Sequence, residues 1–252
     1  MSAKLYSSYC YGLHAVYAFL ERNPQKIEKI YLDDSRSDHR IEKIYHLAEK
    51  SQIKLELSSK KMLDQLTNEA CHQGVVAAYI PQPPLSEHEL QDFLTTMDTP
   101  LLLVLDGVQD PHNLGACFRT ADAAGVHAVI APKDRAASLT ASARKVACGA
   151  AETIPFVQVT NLARTLQDLQ NYGIWCVGTD AQAPTTLYET ELQGPLALIL
   201  GSEEKGLRQL TRRYCDQLIA IPMAGIVTSL NVSVAAGVCL FEIARQRRNK
   251  IT

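Results

Sequence analysis

Five short, nearly continuous apolar runs in the C-terminal part of the chain constrain its fold most strongly. They cover residues 101–105, 128–131, 174–178, 196–200 and 217–221. Apolar runs of this length are typical of parallel strands that are covered on both faces. Helical segments fall between them, at 114–124, 161–172, 207–215 and 230–248. This alternation predicts a wound α/β fold with a parallel sheet, and such sheets bind ligands beyond the carboxyl ends of their strands.

A proline cluster divides the chain. Pro81-Gln-Pro-Pro84 cannot lie within a helix or a central strand, so it indicates a linker. After it, Ser86 and Glu89 predict a capping box at the start of a leading helix. Before it, short strand candidates alternate with helical segments, which predicts a smaller α/β module. The strand candidates are 29–32, 54–57 and 75–80, and the helical segments are 13–20 and 41–48. We therefore expect domains at 1–80 and 99–252, with a linker and leading helix at 81–98.

Composition narrows the class of protein. The 252 residues are 46% hydrophobic and 21% charged, which is ordinary for a globular protein and excludes disordered or collagen-like chains. No apolar run reaches the roughly 18 residues of a membrane span, and the N-terminus lacks a signal sequence, so we expect a cytoplasmic protein without a membrane partner. The formal net charge of −2 leaves a nucleic-acid partner open, because a local basic face suffices.

Cysteine and histidine spacing gives no indication of a metal site. The seven cysteines include no C-x-x-C pair, and the seven histidines include no H-E-x-x-H motif. The cysteines are expected to be reduced and mostly buried. We therefore expect no metal.

Polar residues directly follow three of the predicted strands, and we call each of these segments a polar strand end. The first follows the apolar run at 101–105. Asp110-Pro-His-Asn113 predicts a turn, with Asn113 as the N-cap of the next helix and Arg119 further along it. One interpretation is a plain turn followed by a solvated arginine. The functional alternative is that the cap places Asn113 and Arg119, about two turns apart, near one another at the ligand edge of the sheet.

The second polar strand end is Gly201-Ser-Glu-Glu-Lys205. Gly201 permits a close backbone approach to a ligand, and Glu203 can orient a hydroxyl group or offset a cation. The spacing of the glycines and Lys205 does not match a phosphate-binding P-loop, and the chain contains no G-x-G-x-x-G fingerprint. The alternative interpretation is an ordinary strand-to-helix turn with an acidic first helical turn.

The third polar strand end is the segment from Ile221 to Ser233. Thr228 or Ser229 is the predicted N-cap of the final helix. Asn231 has apolar neighbours, so we expect its amide to be buried and to need specific partners. It either fixes a polar ligand or is a satisfied structural amide.

Together the three segments resemble the three motifs of the SpoU-class 2'-O-ribose methyltransferases of the SPOUT superfamily. The matches are Asn113 to Arg119, then Gly201-Ser-Glu203 with Gly206, then Ile221-Pro-Met to Ser229-Leu-Asn231. The chain departs from the family at Glu204, where glycine is common. A loop that is less flexible and more negative is therefore expected there.

The resemblance extends over essentially the whole chain. Tyr11-Gly-Leu-His-Ala15 and His72-Gln-Gly-Val-Val76 are similar to the N-terminal substrate-binding domain of the members that act on 23S ribosomal RNA, and residues 106–116 and 147–152 strengthen this match. The resemblance implies 2'-O-methylation of a guanosine ribose in the peptidyl-transferase P-loop. The implied partners are 23S ribosomal RNA or a ribosome precursor, and a second copy of the chain packed against the final helix as a homodimer.

The resemblance also implies the cofactor and the site. SpoU members bind S-adenosylmethionine (AdoMet) in a deep trefoil knot formed by their C-terminal segments. The cofactor-binding residues implied are Gly201, Ile221 and Leu230, with Thr179 as a weaker candidate. The catalytic residues implied are Asn113, Arg119, Glu203, Ser229 and Asn231. Because a guanidinium stays protonated, Arg119 is expected to contact the adjacent phosphate and to stabilise the developing alkoxide.

Scattered basic residues are candidates for contact with RNA phosphates, although a solvated face is the simpler interpretation. They are Arg22, Lys26, Lys29, Arg36, Arg40 and Lys43 before the linker, and Lys133, Arg135, Arg144 and Lys145 after it.

Three other functions stay open. They are methylation of transfer RNA, RNA binding by a catalytically silent knotted protein, and a nucleotide-binding regulator.

Overall fold

The computed structural model describes residues 8–81 and 83–248, which form two compact units. The first unit contains the described part of residues 1–83 together with Cys148–Thr153. The second contains Pro84–Ala147 and the described part of residues 154–252. A short segment from the middle of the sequence therefore belongs with the N-terminal unit.

The first unit is built on a four-stranded sheet. Its strands are β1 (Ser8–Tyr11), β2 (Ile27–Asp33), β3 (Lys54–Ser58) and β4 (Val75–Tyr79), in the order β1-β4-β2-β3. β2 and β3 are parallel, and β4 is antiparallel to both β1 and β2. The helices are α1 (Leu13–Arg22), α2 (His39–Lys50), α3 (Lys60–Thr67) and α7 (Ala150–Thr153). The three predicted strands and two predicted helices are confirmed, whereas β1 and α3 were not predicted.

The core of the first unit follows from apolar residues at helical spacing. Val16, Phe19 and Leu20 of α1 are fully buried, and the Phe19 ring packs edge-on against Tyr79 with 5.1 Å between the ring centroids. The Tyr79 hydroxyl donates a hydrogen bond to the buried carboxylate of Glu152. This bond attaches the mid-chain segment to the core of the unit.

The second unit contains a seven-stranded sheet in which every pair of neighbours is parallel. The strands are β5 (Leu101–Asp106), β6 (Ala128–Pro132), β7 (Phe156–Val159), β8 (Trp175–Thr179), β9 (Thr185–Thr186), β10 (Leu196–Gly201) and β11 (Gln217–Ala220), in the order β7-β6-β5-β10-β8-β11-β9. Every residue of the central strand β5 is buried. The α/β class, the parallel sheet and the five predicted strands are confirmed, and β7 and β9 are additional.

Helices lie before, between and after these strands. They are α4 (Glu87–Leu94), α5 (Pro111–Ala124), α6 (Ala141–Ala147), α8 (Leu162–Asn171), α9 (Gln209–Arg213) and α10 (Val232–Arg248). The capping box of Ser86 and Glu89 is present at α4, as predicted. α5 ends at Gly125, also as predicted, and this glycine adopts the left-handed conformation with a φ of 78°.

The start of α5 differs from the prediction. Asp110, not Asn113, is the N-cap, and its carboxylate accepts the N–H of His112 at 2.8 Å. Pro111 then occupies the first helical position, where its missing N–H costs nothing. The prediction that Asn113 caps the helix is therefore wrong. Asn113 lies inside the first turn, which leaves its side chain available for a partner outside the helix.

Close packing fixes α5 against its neighbours. A Cβ atom at Gly115 would lie 2.3 Å from the backbone oxygen of Ala143, so only glycine lets α6 come this near to α5. On another side, α10 packs along α5, and Gly237 faces Thr120. α5 is thereby held by two helices as well as by the buried strand before it.

Of the helices within the described ranges, 8–81 and 83–248, none is long and apolar enough to cross a membrane.

Candidate functional site

The three polar segments follow β5, β10 and β11, and all three leave the carboxyl edge of the same parallel sheet. β5 and β10 are direct neighbours, and their last residues, Asp106 and Gly201, are opposite one another in register. This is the edge at which parallel α/β sheets bind ligands.

Residues 201–208, which we call the Gly201 loop, turn back tightly on themselves. Ser202 and Gly206 exchange two backbone hydrogen bonds of 3.1 and 2.9 Å. A Cβ atom at Gly201 would lie 2.0 Å from the backbone carbon of Gly206, so the loop closes only over a glycine. Sequence reasoning predicted the small residue for approach of a ligand, whereas it is the loop itself that approaches Gly201.

Glu204 fits this loop without strain. Gly206 holds the left-handed position, with a φ of 63°. Glu204 has no positive φ and its side chain is exposed. A residue other than glycine at 204 is therefore compatible with the fold, and it adds a negative charge beside Glu203.

Glu203 joins the three segments through one oxygen atom. Its Oε1 accepts a hydrogen bond from Asn113 Nδ2 at 2.8 Å and another from Asn231 Nδ2. The backbone N–H of Val232 donates to the same oxygen at 3.3 Å. Asn231 Nδ2 also lies 3.0 Å from Asn113 Oδ1. The predicted residues Asn113, Glu203 and Asn231 therefore form one hydrogen-bonded cluster.

Two predictions about the third segment are wrong. Asn231 is exposed and lies just before α10, whereas sequence reasoning placed it buried inside the helix. Its Oδ1 accepts the N–H of Ser233 at 2.9 Å, which is the bond of an N-cap. Asn231 therefore has the capping role predicted for Thr228 or Ser229. Capping uses only the Oδ1 atom of Asn231, so its Nδ2 is able to donate to Glu203.

A cavity of about 680 Å³ opens beside this cluster. All four predicted cofactor-binding residues line it, as do the predicted catalytic residues Glu203 and Ser229. The four are Thr179, Gly201, Ile221 and Leu230. Its volume lies within the range of about 300–1,000 Å³ that is usual for small-molecule sites.

The wall of the cavity combines apolar side chains with unpaired backbone groups. Leu200, Ile219 and Ile221 contribute apolar surface. Residues 222–229 supply Met223, Thr228 and Ser229, and no hydrogen bond joins 222–229 to any other part of the chain that the structure describes. A planar heterocycle with polar edges suits such a wall, because free backbone N–H and C=O groups can pair with its edges.

Arg119 stands apart from this cluster. It lies on α5 and is exposed, and its guanidinium makes no hydrogen bond or ion pair within residues 8–81 and 83–248. Asn113 is on the same helix but donates to Glu203 instead. The guanidinium is therefore available to a partner outside the chain.

Cys117 lies on α5 between Asn113 and Arg119 and is not suited to act as a nucleophile. Burial, with a smaller contribution from the charge of Glu203, raises the pKa of the Cys117 thiol to about 12. A buried neutral thiol is chemically inert. No group of three or more His, Cys, Asp or Glu side chains in the described residues is arranged to hold a metal ion.

Comparison with known families explains this architecture. Residues 100–241 match the SpoU rRNA Methylase family, and residues 9–85 match the family of RNA 2'-O ribose methyltransferase substrate binding domains. The chain belongs to the SpoU rRNA methylase family. The two matches correspond to the larger and the smaller unit of the fold.

Individual relatives match this SpoU family member over nearly its full length. It is 55% identical over 241 residues to a Photorhabdus laumondii protein named 23S rRNA (guanosine-2'-O-)-methyltransferase RlmB, which covers 96% of this chain and 99% of that protein. An Escherichia coli K12 protein of the same name is 52% identical with the same coverage. The crystal structure of the SpoU methyltransferase AviRb from Streptomyces viridochromogenes superposes with a TM-score of 0.76 at 24% identity, over 97% of this chain and 91% of that one. The last similarity shows a shared fold.

One ion pair of the SpoU cavity was not predicted. Arg212 Nη1 lies 2.6 Å from Asp180 Oδ2, and both residues line the cavity. Asp180 follows β8 directly, so the rule that found the other three strand ends applies to it as well. No sequence pattern indicated a functional role for Arg212, because it lies within a short helix whose charged residues look like those of an ordinary solvent-exposed helix.

The basic residues proposed to contact RNA fall into two groups. In the N-terminal unit of this SpoU protein, Lys29 pairs with Glu56 at 2.7 Å and Arg36 bonds to Asp38. Burial lowers the pKa of Lys26. Exposed candidates are Arg22, Arg40 and Lys43 in this unit, and Lys133, Arg135 and Lys145 in the other; Arg144 is half-buried.

Proposed function

We propose that this protein transfers a methyl group from AdoMet to the 2'-oxygen of a guanosine ribose in the peptidyl-transferase P-loop of 23S ribosomal RNA. The observation that carries the proposal is the identity of 55% and 52%, over 96% of the chain, to proteins named 23S rRNA (guanosine-2'-O-)-methyltransferase RlmB. Coverage of 99% of those proteins includes both units, so the substrate-binding part is shared as well as the catalytic part.

The cavity fits AdoMet. Ile221 and Leu230 provide apolar surface for an adenine ring, and the unpaired backbone of residues 222–229 can pair with the ring's edges. Thr179 and Gly201 lie on the same wall. A 24%-identical member of the fold family, AviRb, has been solved with this cofactor. When bound, AdoMet supplies a methyl group on a positively charged sulfur, which makes that methyl open to attack by oxygen.

The chain's own residues would position the ribose and favour loss of its proton. Arg119 is exposed and has no partner among the described residues, so it can contact the phosphate next to the reacting ribose. Its permanent positive charge would stabilise the alkoxide that develops on the 2'-oxygen. Ser229 lines the cavity and offers a hydroxyl group for the same ribose.

Asn113, Glu203 and Asn231 act together in this proposal. Three donors already occupy Glu203 Oε1, so this oxygen holds the motifs in place and does not act as a base. Fixed geometry of this kind lowers the barrier by holding reacting groups in line. The trefoil knot expected for the family would place the same segments around the cofactor, and it stays a prediction.

We further propose that the protein works as a homodimer through α10. Val234 and Phe241 are exposed by 51% and 53%, and Val238 is half-buried. Their spacing of four and three residues puts them on one side of the helix. An exposed apolar stripe of this kind is typical of a surface that a second copy covers.

The N-terminal unit would bind the RNA, with Arg40 and Lys43 of α2 as exposed candidates for phosphate contact. Domain limits at 1–80, 81–98 and 99–252 remain our proposal for the boundaries of this module, its linker and the catalytic part. A cytoplasmic location would place the protein with its ribosomal RNA substrate.

The experiment that tests the function measures methyl transfer from labelled AdoMet to unmodified 23S ribosomal RNA, with transfer RNA in parallel. The modified nucleotide is then mapped. A matched P-loop RNA fragment with 2'-deoxyguanosine at the mapped position is the control, because it lacks only the accepting oxygen. Label on one P-loop guanosine, absent from the deoxy control, is the expected result. Label on transfer RNA alone would overturn the proposed substrate. If AdoMet binds but neither free RNA nor ribosome precursors are labelled, the proposed enzymatic function is overturned.

A further inference from the structure

Asp106 is a buried carboxylate that the proposed reaction does not use. It is the last residue of β5, and its side chain has no solvent exposure. Burying a charged carboxylate is costly unless it is paired and hydrogen-bonded. A buried charge at the ligand edge of the sheet therefore needs a specific partner.

The partner is Arg208, 102 residues further along the chain. Asp106 Oδ2 accepts the backbone N–H of Arg208 at 2.9 Å. Asp106 Oδ1 accepts hydrogen bonds from Nε and Nη2 of the same arginine. One carboxylate thus holds both the backbone and the side chain of a single residue, and charged, forked bonds of this kind are strong and directional.

The pair closes the base of the Gly201 loop. Gly201, where the loop leaves β10, is opposite Asp106 in the sheet register. Arg208, where the loop ends, is bonded to the same Asp106. The two ends of the loop are therefore held at one strand position, and the residues between them line the cavity, including Glu203 and Leu207.

We propose that Asp106 and Arg208 are positioning residues for the cofactor site. They fix the base of the Gly201 loop, so that its middle residues present a preformed wall to AdoMet. This inference rests on the proposed function, because it assigns the cavity to that cofactor. It adds a second attachment point to the one that Glu203 makes with Asn113 and Asn231.

The Arg208→Lys substitution tests the pair. Lysine keeps a positive charge beside the buried carboxylate, so the fold is retained, but it cannot form the fork with Asp106. Because displacing a binding loop by a fraction of an ångström weakens a preformed site, we expect AdoMet affinity to fall about 10-fold. Arg208→Ala should weaken it further. Arg213→Ala is the matched control, because Arg213 is exposed at the end of α9, the helix that Arg208 precedes, and its substitution removes the same charge as Arg208→Ala.

Calorimetric binding of AdoMet to the full chain, thermal melting and RNA affinity are measured for all four proteins. Weaker AdoMet binding by Arg208→Lys at a temperature well below its melting point, with RNA affinity and the Arg213→Ala control unchanged, supports positioning. A lower melting temperature with unchanged AdoMet affinity would show a structural role only and overturn the inference. Loss of RNA affinity alone would make Arg208 an RNA contact, which also overturns it. Failure of the wild-type chain to bind AdoMet would instead overturn the proposed function.

Discussion

The side-chain amide of Asn113 donates to Glu203 Oε1 at 2.8 Å, across 90 residues of sequence. Asn231 donates to the same oxygen from the start of α10. One exposed carboxylate therefore connects the loops that follow three different strands. Its contribution to stability and to methyl transfer can be separated by substitution.

Replacing Glu203 by alanine should reduce both stability and methyl transfer. The change removes the acceptor of three hydrogen bonds, which we expect to cost about 1–2 kcal/mol of unfolding free energy at this exposed position. Glu203→Gln should be milder, because its amide oxygen still accepts. Denaturant unfolding and methyl-transfer rates measure the two effects. Glu204→Ala is the stability control, and an equal loss for Glu204→Ala would contradict the assignment of the bonds to Glu203.

Replacing Arg119 by alanine should slow methyl transfer about 100-fold or more and leave AdoMet binding unchanged, because the side chain would stabilise charge only during the reaction. The fold should be retained, since Arg119 is exposed. Single-turnover rates and calorimetry measure the two quantities. Arg164→Ala on α8, also exposed, is the control. Near wild-type rates for Arg119→Ala would remove Arg119 from the mechanism.

Replacing Gly201 by alanine should open the Gly201 loop. The added Cβ would lie 2.0 Å from the backbone of Gly206, so the loop must shift. We expect AdoMet affinity to fall about 10-fold or more, as for other displaced binding loops. Gly194→Ala lies before the other end of β10, where a Cβ meets no described atom within 4 Å, and should bind normally. Equal affinities for both variants would contradict the closed loop.

Cysteine reactivity should follow burial. The thiols of Cys117, Cys176 and Cys239 have pKa values raised by burial to about 12, whereas Cys71 and Cys148 are exposed. Because the thiolate is the reactive form, alkylation of the native protein should label the exposed pair first. Mass spectrometry after a timed pulse identifies the labelled sites. Early labelling of any of the three buried thiols would mean that the core is more open than described.

The same thiols should make the free energy of unfolding depend on pH in the alkaline range. Their pKa values in the folded state, about 12, lie above the ordinary value of 9.0 that applies when the chain is unfolded. The unfolded chain therefore releases these protons first as pH rises. The free energy of unfolding should be unaffected by them below pH 9 and should fall between pH 9 and 12. Denaturant unfolding of a Cys117→Ala variant should show a shallower decline than the wild type over this interval.

Phe241→Glu should weaken the proposed homodimer. The substitution puts a charge in the middle of an apolar surface, so we expect the dimer dissociation constant to rise about 10-fold or more. Sedimentation velocity over a range of protein concentrations measures it. Tyr172→Glu, which changes an exposed aromatic residue just after α8, is the control. A wild-type chain that stays monomeric at every concentration would remove the dimer from the proposal.

The sequence predicted the framework of the catalytic unit because five short, nearly continuous apolar runs mark its main strands. It also predicted local features such as the capping box at Ser86 and the end of α5 at Gly125. The strands β1 and β9 and the helix α3 were not predicted because they are short, at 4, 2 and 8 residues. Short segments of this kind are fixed by their neighbours and not by their own composition.

The candidate site was only partly accessible to sequence reasoning. Motif residues such as Asn113 and Glu203 could be named, but their partners could not, because hydrogen bonds across 90 residues leave no local pattern. Asn231 was expected to be buried on the strength of its apolar neighbours, yet it caps α10 in an exposed position. Helix periodicity cannot distinguish the last residue before a helix from the first residue inside it.

Residues from three loops form the hydrogen-bonded cluster at Glu203 Oε1, so the order in which the chain is synthesised determines when the site can form. Asn231 bonds to Asn113 across 118 residues, so these contacts are among the least local in the catalytic unit. Non-local contacts form late, because the intervening chain must be ordered first. During synthesis the site stays incomplete until residue 231 has left the ribosome and the sheet has assembled. A partly made chain that lacks Asn231 therefore cannot complete this cluster.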